Sequence, residues 1–154
     1  MIDNSEIIHR SVAGCAFCDI ARGADNSTVY EDGISMGFLD HRPLFHGHVL
    51  LIPKDHYATL PDLDPLLISR FFQNVALLCR AVEAAMGAEG TFVAINNIVS
   101  QSVPHLHVHI VPRNKGDGLK GFFWPRTKYR DVEELIEVRD KIRKALESSG
   151  TISS

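Results

Sequence analysis

Three histidines alternate with aliphatic residues in the second half of the chain, at His105, His107 and His109. In an extended strand successive side chains point to opposite faces, so the three imidazoles would share one face. The other face then carries aliphatic residues suited to a core, namely Leu106, Val108 and Ile110. Imidazoles titrate near neutral pH and act as nucleophiles, proton donors or metal ligands, so we expect the function to lie in this segment.

Two reactions would use these histidines. In the first, a neutral imidazole attacks phosphorus and leaves again when water attacks the phosphoramidate. The central His107 would be this nucleophile, while Gln101 and Ser102, just ahead of it, could donate hydrogen bonds to phosphate oxygens. In the second, the three imidazoles hold a catalytic metal ion with an open fourth position. Three structural histidines are the remaining interpretation.

Two cysteines near the start of the chain, Cys15 and Cys18, form a Cys-x-x-Cys pair. Zinc prefers thiolate and imidazole ligands in a tetrahedron, and such a pair supplies half of that set. A redox pair and two inert thiols are the alternatives. Cys79 lies in a helical apolar pattern and is expected to be a small core residue. Three cysteines do not indicate a disulfide scaffold.

The elements that must position these residues follow from periodicity and turn signals. Asp64 and Gly87 bound an apolar pattern with steps of three and four, while Asp131 with Glu134 resembles a capping box. Helices are expected at about 17–22, 65–86 and 132–148. Strands are expected at about 28–31, 34–39, 48–52, 91–97 and 105–112. This order predicts an α+β fold with an antiparallel sheet.

The composition is that of an ordinary globular domain. The chain has 154 residues, of which 45% are hydrophobic and 23% charged, and a formal net charge of −3. These values predict one domain and no nucleic-acid partner. No stretch approaches the roughly 20 apolar residues that a membrane span needs, and residues 1–10 lack the apolar run of a signal peptide. We therefore expect a cytoplasmic protein without membrane contact.

The segment from His105 to Val111 resembles the defining motif of the histidine triad (HIT) superfamily of nucleotide hydrolases and transferases. Other segments resemble landmarks of the same family and follow in family order, at 15–20, 30–32, 38–40, 47–56 and 101–105. The resemblance covers about residues 15–113 and implies a single HIT domain over residues 1–154, with a C-terminal extension at 114–154. It also implies a five-stranded antiparallel sheet, a long central helix, a C-terminal helix and a homodimer.

The resemblance implies a covalent mechanism for His107. This residue would attack the α-phosphorus of a purine nucleotide ester, anhydride or phosphoramidate, and water would hydrolyse the nucleotidyl-histidine intermediate. His109 would contact the non-bridging phosphate oxygens, and His48 would form a further polar wall of the pocket. Gln101 and Ser102 would position the phosphate and the leaving group. A nucleotide-binding regulatory protein with negligible turnover is the alternative from another class.

The resemblance also implies how the nucleoside is held. Asp40 matches the family's acceptor for the ribose hydroxyls, and Asn96 matches an asparagine beside the sugar and phosphate. The apolar slot for the base is matched by Phe17, Ile20, Phe38 and Leu39. Plain core packing explains each of these four apolar residues equally well.

A structural zinc ion is implied by the same resemblance. In many bacterial HIT proteins with the Cys-x-x-Cys pair, two histidines complete the zinc site, and they match His56 and His105. Cys15 and Cys18 would be the other two ligands, so no position would stay open for water. His105 would then be unavailable for catalysis.

Two regions depart from the family pattern. The loop at 96–101 is about two residues shorter than is common and carries Ser100 where glycine usually precedes the glutamine. After the triad, the aromatic residues at 122–124 are expected either to cover the pocket or to pack the last helix onto the sheet. Nearby cations could meet extra phosphates of a larger substrate, namely Lys120, Arg126 and Lys128.

Overall fold

A computed structural model describes residues 9–119 and 126–149. The chain divides into two compact units, one ending at Asp117 and one beginning at Gly118. The first unit contains the sheet and two α-helices, and the second contains the last helix. Within the described residues, no helix is long and apolar enough to cross a membrane.

The described residues form three α-helices, one short 3-10 helix (Leu60–Asp62) and five strands. The α-helices are α1 (Ala16–Ala21), α2 (Pro65–Met86) and α3 (Val132–Ser148). The strands are β1 (Thr28–Glu31), β2 (Ser35–Leu39), β3 (Val49–Pro53), β4 (Gly90–Ala94) and β5 (Val108–Arg113). They pair in the order β1-β2-β3-β5-β4, and every neighbouring pair is antiparallel. This architecture confirms the predicted α+β fold with its five-stranded antiparallel sheet.

Both ends of the long helix α2 carry the predicted signals. The Asp64 side chain accepts a hydrogen bond from the N–H of Leu66 at 2.9 Å, and Pro65 occupies the first helical position. Gly87 ends the helix at a φ of 61°, a left-handed conformation that glycine adopts without a steric penalty. The buried side of α2 consists of Phe71, Asn74, Val75, Leu78 and Val82.

The two faces of the sheet bury different clusters. Leu106, Val108 and Ile110 pack with the buried apolar residues of α2 on one face, as predicted. On the opposite face, α1 packs against β2 and β3 through a second apolar cluster, which consists of Cys15, Phe17, Cys18, Met36, Phe38, Leu50 and Ile52. Because alternate residues point to opposite faces, the triad histidines lie on the α1 side.

Two strands are shorter by two residues than the sequence predicted. Strand β5 begins at Val108, so His105 and His107 precede it. The backbone turns just before His105, whose N–H donates to the carbonyl of Val103 at 2.8 Å. Strand β4 ends at Ala94 rather than near residue 97. In the loop that follows, Ile98 and Ser100 have positive φ values of 69° and 59°, which a strand does not accommodate.

The second unit contains α3. The Asp131 side chain accepts from the N–H of Glu134 at 2.8 Å, as the predicted capping box requires. The Glu134 carboxylate, however, accepts from the N–H of Arg130 at 2.5 Å and not from that of Asp131, because the chain brings the Arg130 amide within its reach. Arg126 and Lys128 are exposed. Lys120 and the aromatic residues at 122–124 lie outside the described residues, so the sequence predictions about them stay predictions.

Candidate functional site

Five imidazoles occupy one continuous site on the α1 side of the sheet. The ring centroids of His56 and His105 are 4.9 Å apart, those of His107 and His109 are 5.0 Å apart, and those of His109 and His48 are 5.2 Å apart. Backbone links the two halves of this row, because Nδ1 of His107 lies 2.7 Å from the carbonyl oxygen of His105. The structure therefore brings all three triad histidines together with the two other predicted histidines.

The hydrogen bonds of His107 define its tautomer. A carbonyl oxygen can only accept, so Nδ1 of His107 carries the proton and donates it to His105. Nε2 of the neutral ring then carries a lone pair. The side chain of His107 is buried, with 3% of the residue exposed. The Phe17 ring is nearly perpendicular to the His107 ring, and the two ring centroids are 5.1 Å apart. This arrangement is the one that an imidazole nucleophile requires.

A relay of hydrogen bonds orients His109 through His48. The N–H of Leu44 donates to Nδ1 of His48 at 3.1 Å, which leaves the proton of His48 on Nε2. That Nε2 lies 3.0 Å from Nδ1 of His109 and 3.7 Å from a carboxylate oxygen of Asp40. His109 accepts at Nδ1, so its own proton is on Nε2. The sequence identified His48 only as a polar wall, since the backbone donor of Leu44 has no sequence signal.

Burial keeps the histidines of this relay neutral. Burial and the neighbouring His107 and His48 lower the pKa of His109 to about 4, against a weaker opposing effect of Asp40. Burial also lowers the pKa of His48, while Asp40 opposes the shift. Neutral rings at pH 7 have one donor and one acceptor nitrogen each, as the relay requires.

Four side chains form a metal-binding geometry at the other end of the row. Ligand atoms of Cys15, Cys18, His56 and His105 all lie within 4.8 Å of one another. Cys18 Sγ is 3.3 Å from Nδ1 of His56, and both sulfurs are 3.5 Å from Nδ1 of His105. Ligands in a zinc tetrahedron are about 3.5 Å apart, so the donors need little movement to bind the ion.

The surroundings of these donors also suit a metal ion. Nε2 of His105 donates to the carbonyl of Pro53 at 2.8 Å, which leaves the Nδ1 lone pair directed at the sulfurs. Burial, opposed by this hydrogen bond, lowers the pKa of His105 to about 4. The backbone N–H groups of Val12 and Cys18 donate to the two sulfurs, at 3.4 Å each. Such donors stabilise thiolates, although burial raises the pKa of the Cys18 thiol when no metal is bound.

The three triad histidines do not converge on one metal position. In the described part of the chain, His105 groups with the cysteines, and His109 groups with Asp40 and His48. His107 belongs to neither group. A metal ion between His48 and His109 would also need Nε2 of His48 deprotonated while Leu44 donates to Nδ1, which makes the ring an imidazolate. The geometry therefore disfavours the catalytic-metal interpretation of the triad.

The loop before the triad is held by Gln101. Its amide nitrogen donates to the carbonyl of Ala58 at 2.6 Å, and its amide oxygen accepts from the N–H of Ile98 at 2.8 Å. Asn96 is exposed and donates to the carbonyl of Ser100 at 3.3 Å. The predicted contacts of Gln101 and Asn96 with substrate stay predictions.

The residues predicted to hold the base divide by burial. Phe17 and Phe38 are buried and meet edge to face with ring centroids 5.4 Å apart. Ile20 is half-buried against the same cluster, while 40% of Leu39 is exposed at the end of β2. Asp40 follows Leu39 directly and lies beside His48. Phe17, Phe38 and Ile20 therefore contribute to the core. Leu39 and Asp40 form an accessible edge beside the histidines.

The sequence did not reveal how the N-terminal segment is attached to this site. The backbone of Arg10 and the carboxylate of Asp55 form a 2.6 Å hydrogen bond, and the N–H of His56 donates to the carbonyl of Arg10 at 2.7 Å. The Arg10 guanidinium donates to the carbonyl of His56 at 2.8 Å and lies 4.9 Å from the centre of the Tyr57 ring. These contacts hold His56 next to the segment that carries the two cysteines.

Comparison with known sequences identifies one domain. The family model described as the HIT domain matches residues 21–116. An adenylylsulfatase from Arabidopsis thaliana is 38% identical over 108 residues, which are 68% of this chain and 55% of that protein. An uncharacterized HIT-like protein from Mycobacterium tuberculosis is 37% identical over 79% of this chain and 89% of its own length. An adenosine 5′-monophosphoramidase from Schizosaccharomyces pombe is 34% identical over 72% and 83% of the two chains.

Solved structures share the fold. A protein from Streptococcus mutans superposes with a TM-score of 0.80 at 31% identity, over 88% of this chain and 87% of that one. A zinc-bound histidine triad family protein from Mycobacterium smegmatis superposes with a TM-score of 0.65 at 34% identity, over 88% and 97% of the two chains.

Proposed function

Because the chain belongs to the HIT domain family, we propose that it is a nucleotide hydrolase in which His107 attacks the α-phosphorus of a purine nucleotide ester, anhydride or phosphoramidate. One observation carries this proposal. The hydrogen bond from Nδ1 of His107 to the carbonyl of His105, at 2.7 Å, keeps the lone pair on Nε2 of a buried ring. With its proton on Nδ1, His107 has Nε2 available to attack phosphorus.

The relatives support hydrolysis of a nucleotide without identifying the substrate. The plant relative is named as an adenylylsulfatase and the yeast relative as an adenosine 5′-monophosphoramidase. The chain spans only 55% of the plant protein, and 83% of the yeast one. We therefore propose an adenosine or other purine nucleotide whose α-phosphate bears a leaving group.

The first half-reaction transfers the nucleotidyl group to the enzyme. The lone pair of Nε2 forms a bond to phosphorus as the bond to the leaving atom breaks, and the leaving atom keeps that electron pair. Ser102 donates a proton to the leaving atom and regains one from water. The Nε2–H of His109 donates to a non-bridging oxygen, where negative charge accumulates in the transition state. His109 can donate this hydrogen bond as a neutral ring, because His48 and Leu44 keep its proton on Nε2.

The second half-reaction releases the product. Water attacks phosphorus, a phosphorus–oxygen bond forms, and the phosphorus–nitrogen bond breaks with its electron pair returning to Nε2 of His107. The water proton that is lost goes to solvent. The overall reaction consumes one water and yields a nucleoside monophosphate and the protonated leaving group. Asp40, beside His48 at 3.7 Å, accepts from the ribose hydroxyls in this proposal.

We also propose that the four-residue metal site holds a structural zinc ion. Cys15, Cys18, His56 and His105 would fill a tetrahedral set completely, so the ion would crosslink the N-terminal segment to the sheet without activating water. The zinc-bound relative from Mycobacterium smegmatis supports this choice of metal. The predicted homodimer and cytoplasmic location stay predictions.

The test is intact-protein mass spectrometry during turnover of an adenosine phosphoramidate. The parent protein, quenched with acid-free denaturant, is expected to gain the mass of one adenylyl group, and His107→Ala is expected to gain none and to lose turnover. His41→Ala is the matched control, because His41 is an exposed histidine outside the row. Turnover by His107→Ala at the parent's rate would contradict the proposal. Binding of nucleoside monophosphate without turnover by the parent would support a regulatory protein instead.

A further inference from the structure

A cavity of about 450 Å³ opens beside the metal site. Three stretches of the first unit line it, at 12–16, at 56 and 58, and at 102–104. Its volume is in the range of small-molecule pockets, about 300–1,000 Å³. Of the residues predicted to contact the substrate, only Ser102 lines it. The predicted nucleoside contacts therefore leave this cavity without a function.

Two walls of the cavity include residues that are next to, or hydrogen-bonded to, neighbours of His107. Ala16 lines the cavity, and the next residue, Phe17, places its ring 5.1 Å from that of His107. On the other wall, Val103 accepts a hydrogen bond from the N–H of His105, whose carbonyl fixes the ring of His107. His107 itself does not line the cavity, and these two contacts connect the cavity walls to the residues that surround it.

The nucleoside contacts lie at the other end of the imidazole row. Asp40 and His48 neighbour His109, and none of these three residues lines the cavity. At the α-phosphorus the nucleoside oxygen and the leaving atom are separate substituents that point in different directions. In the proposed reaction Ser102 protonates the leaving atom, so the leaving group would lie next to a residue that lines the cavity. We propose that this cavity is the leaving-group site, an inference that rests on the proposed function.

The lining determines which leaving groups fit. Small apolar side chains form most of it, namely Val12, Ala13, Ala16, Ala58, Val103 and Pro104. Among the described residues of the lining, none is Lys, Arg, Asp or Glu. A sulfate or a polyphosphate bound in a pocket normally meets arginine or lysine. The nearby guanidinium of Arg10 is already held by the His56 carbonyl and the Tyr57 ring. The site therefore selects compact, uncharged leaving groups over anionic ones.

Two substrates of nearly equal length test this selectivity. Adenosine 5′-phosphoramidates of n-butylamine and of β-alanine both extend a short chain from the phosphoramidate nitrogen, and only the second carries a carboxylate. The parent protein is expected to favour the butyl compound by about tenfold in kcat/KM, because the apolar lining contacts the butyl chain and offers the carboxylate no cation. Ala13→Arg and Ala16→Arg place a cation on the lining and should move the ratio about tenfold toward β-alanine.

The matched control is Ala24→Arg, an exposed substitution between α1 and β1 that does not line the cavity. It should leave the substrate ratio unchanged. Equal kcat/KM values of the parent for the two substrates would overturn the leaving-group site and leave the proposed hydrolase standing. The same conclusion would follow if the substrate ratios of Ala13→Arg and Ala16→Arg equalled that of Ala24→Arg. If the parent forms no adduct and turns over neither compound, the proposed function is wrong and the leaving-group site is overturned with it.

Discussion

The carbonyl oxygen of His105 accepts the Nδ1 proton of His107 at 2.7 Å, while the ring of His105 faces two cysteine sulfurs at 3.5 Å. One residue therefore belongs to both halves of the site, through its backbone to the nucleophile and through its side chain to the metal donors. The ring can be exchanged by mutation, whereas the carbonyl remains in every variant. This division makes the two roles of His105 separable.

Substitution of His105 should affect the metal much more than the chemistry. His105→Cys replaces one zinc ligand by another and is expected to retain about one zinc per chain and turnover within about tenfold of the parent. His105→Ala leaves three ligands and should lose zinc on dialysis against a chelator, with a free energy of unfolding lower by about 2 kcal/mol or more. Zinc by atomic absorption and urea unfolding are the measurements. Loss of turnover in His105→Cys with its zinc retained would show that the ring itself takes part in the reaction.

The relay from Leu44 predicts which replacement of His48 is tolerated. Glutamine offers an oxygen to the Leu44 N–H and an N–H to His109, whereas leucine offers neither. We expect His48→Leu to lower kcat by about tenfold to hundredfold, because His109 loses its orientation, and His48→Gln to recover most of the loss. Nitrogen-15 NMR of His109 should report a proton on Nε2 in the parent and in His48→Gln. An unchanged tautomer in His48→Leu would contradict the relay.

Elements with strong local signals were predictable from the sequence. The caps at Asp64 and Gly87 bound α2 as expected. The Asp-Gly pair at 32–33, which is a strong hairpin signal between two strand patterns, forms the turn that joins β1 to β2. In that turn, Asp32 accepts hydrogen bonds from the N–H groups of Ile34 and Ser35 at 2.9 and 2.8 Å. The four predicted metal donors also meet as a group. For the helix and the turn, residue type and spacing alone restrict the geometry, whereas the pairing of His56 and His105 with the cysteines followed from the resemblance to the HIT family.

Contacts made by backbone atoms were not predictable in the same way. Leu44 N–H and the carbonyls of Pro53 and Ala58 determine ring tautomers and loop shape, yet any residue type offers the same atoms. The start of β5 at Val108 depends on a turn at Val103–His105, which the alternating pattern of histidines conceals. Pattern arguments therefore identify the side chains of the site more reliably than the backbone that orients them.

The loop that precedes the triad stores strain at Ile98. A β-branched residue at a φ of 69° costs about 1 kcal/mol or more, and 79% of Ile98 is exposed, so its side chain gains little in return. Ile98→Gly is expected to raise the free energy of unfolding by about 0.5 kcal/mol. Val99→Gly is the matched control, since Val99 is 78% exposed without a positive φ, and it should lower stability by about 0.5–1 kcal/mol. Equal destabilisation by both variants in urea titrations would show that the loop is unstrained.

The lowered pKa of His109 predicts how stability depends on pH. Its pKa is about 4 in the folded protein and about 6.5 in the unfolded chain, so the unfolded state binds the extra proton between these values. The contribution of His109 to stability is therefore fully present above pH 6.5 and is lost as the pH falls toward 4. Urea midpoints of the parent should decrease over this range.

His109→Gln separates this contribution from those of the other histidines. The pKa values of His48, His56 and His105 are lowered by burial as well, so the variant should keep part of the decline. Its slope of unfolding free energy against pH is expected to be shallower than the parent's by up to one proton between pH 6.5 and 4. Metal release affects both proteins alike and cancels in the difference. Identical slopes would mean that His109 titrates near pH 6.5 in the folded state, and a charged imidazolium would then replace the neutral donor proposed for the phosphate oxygens.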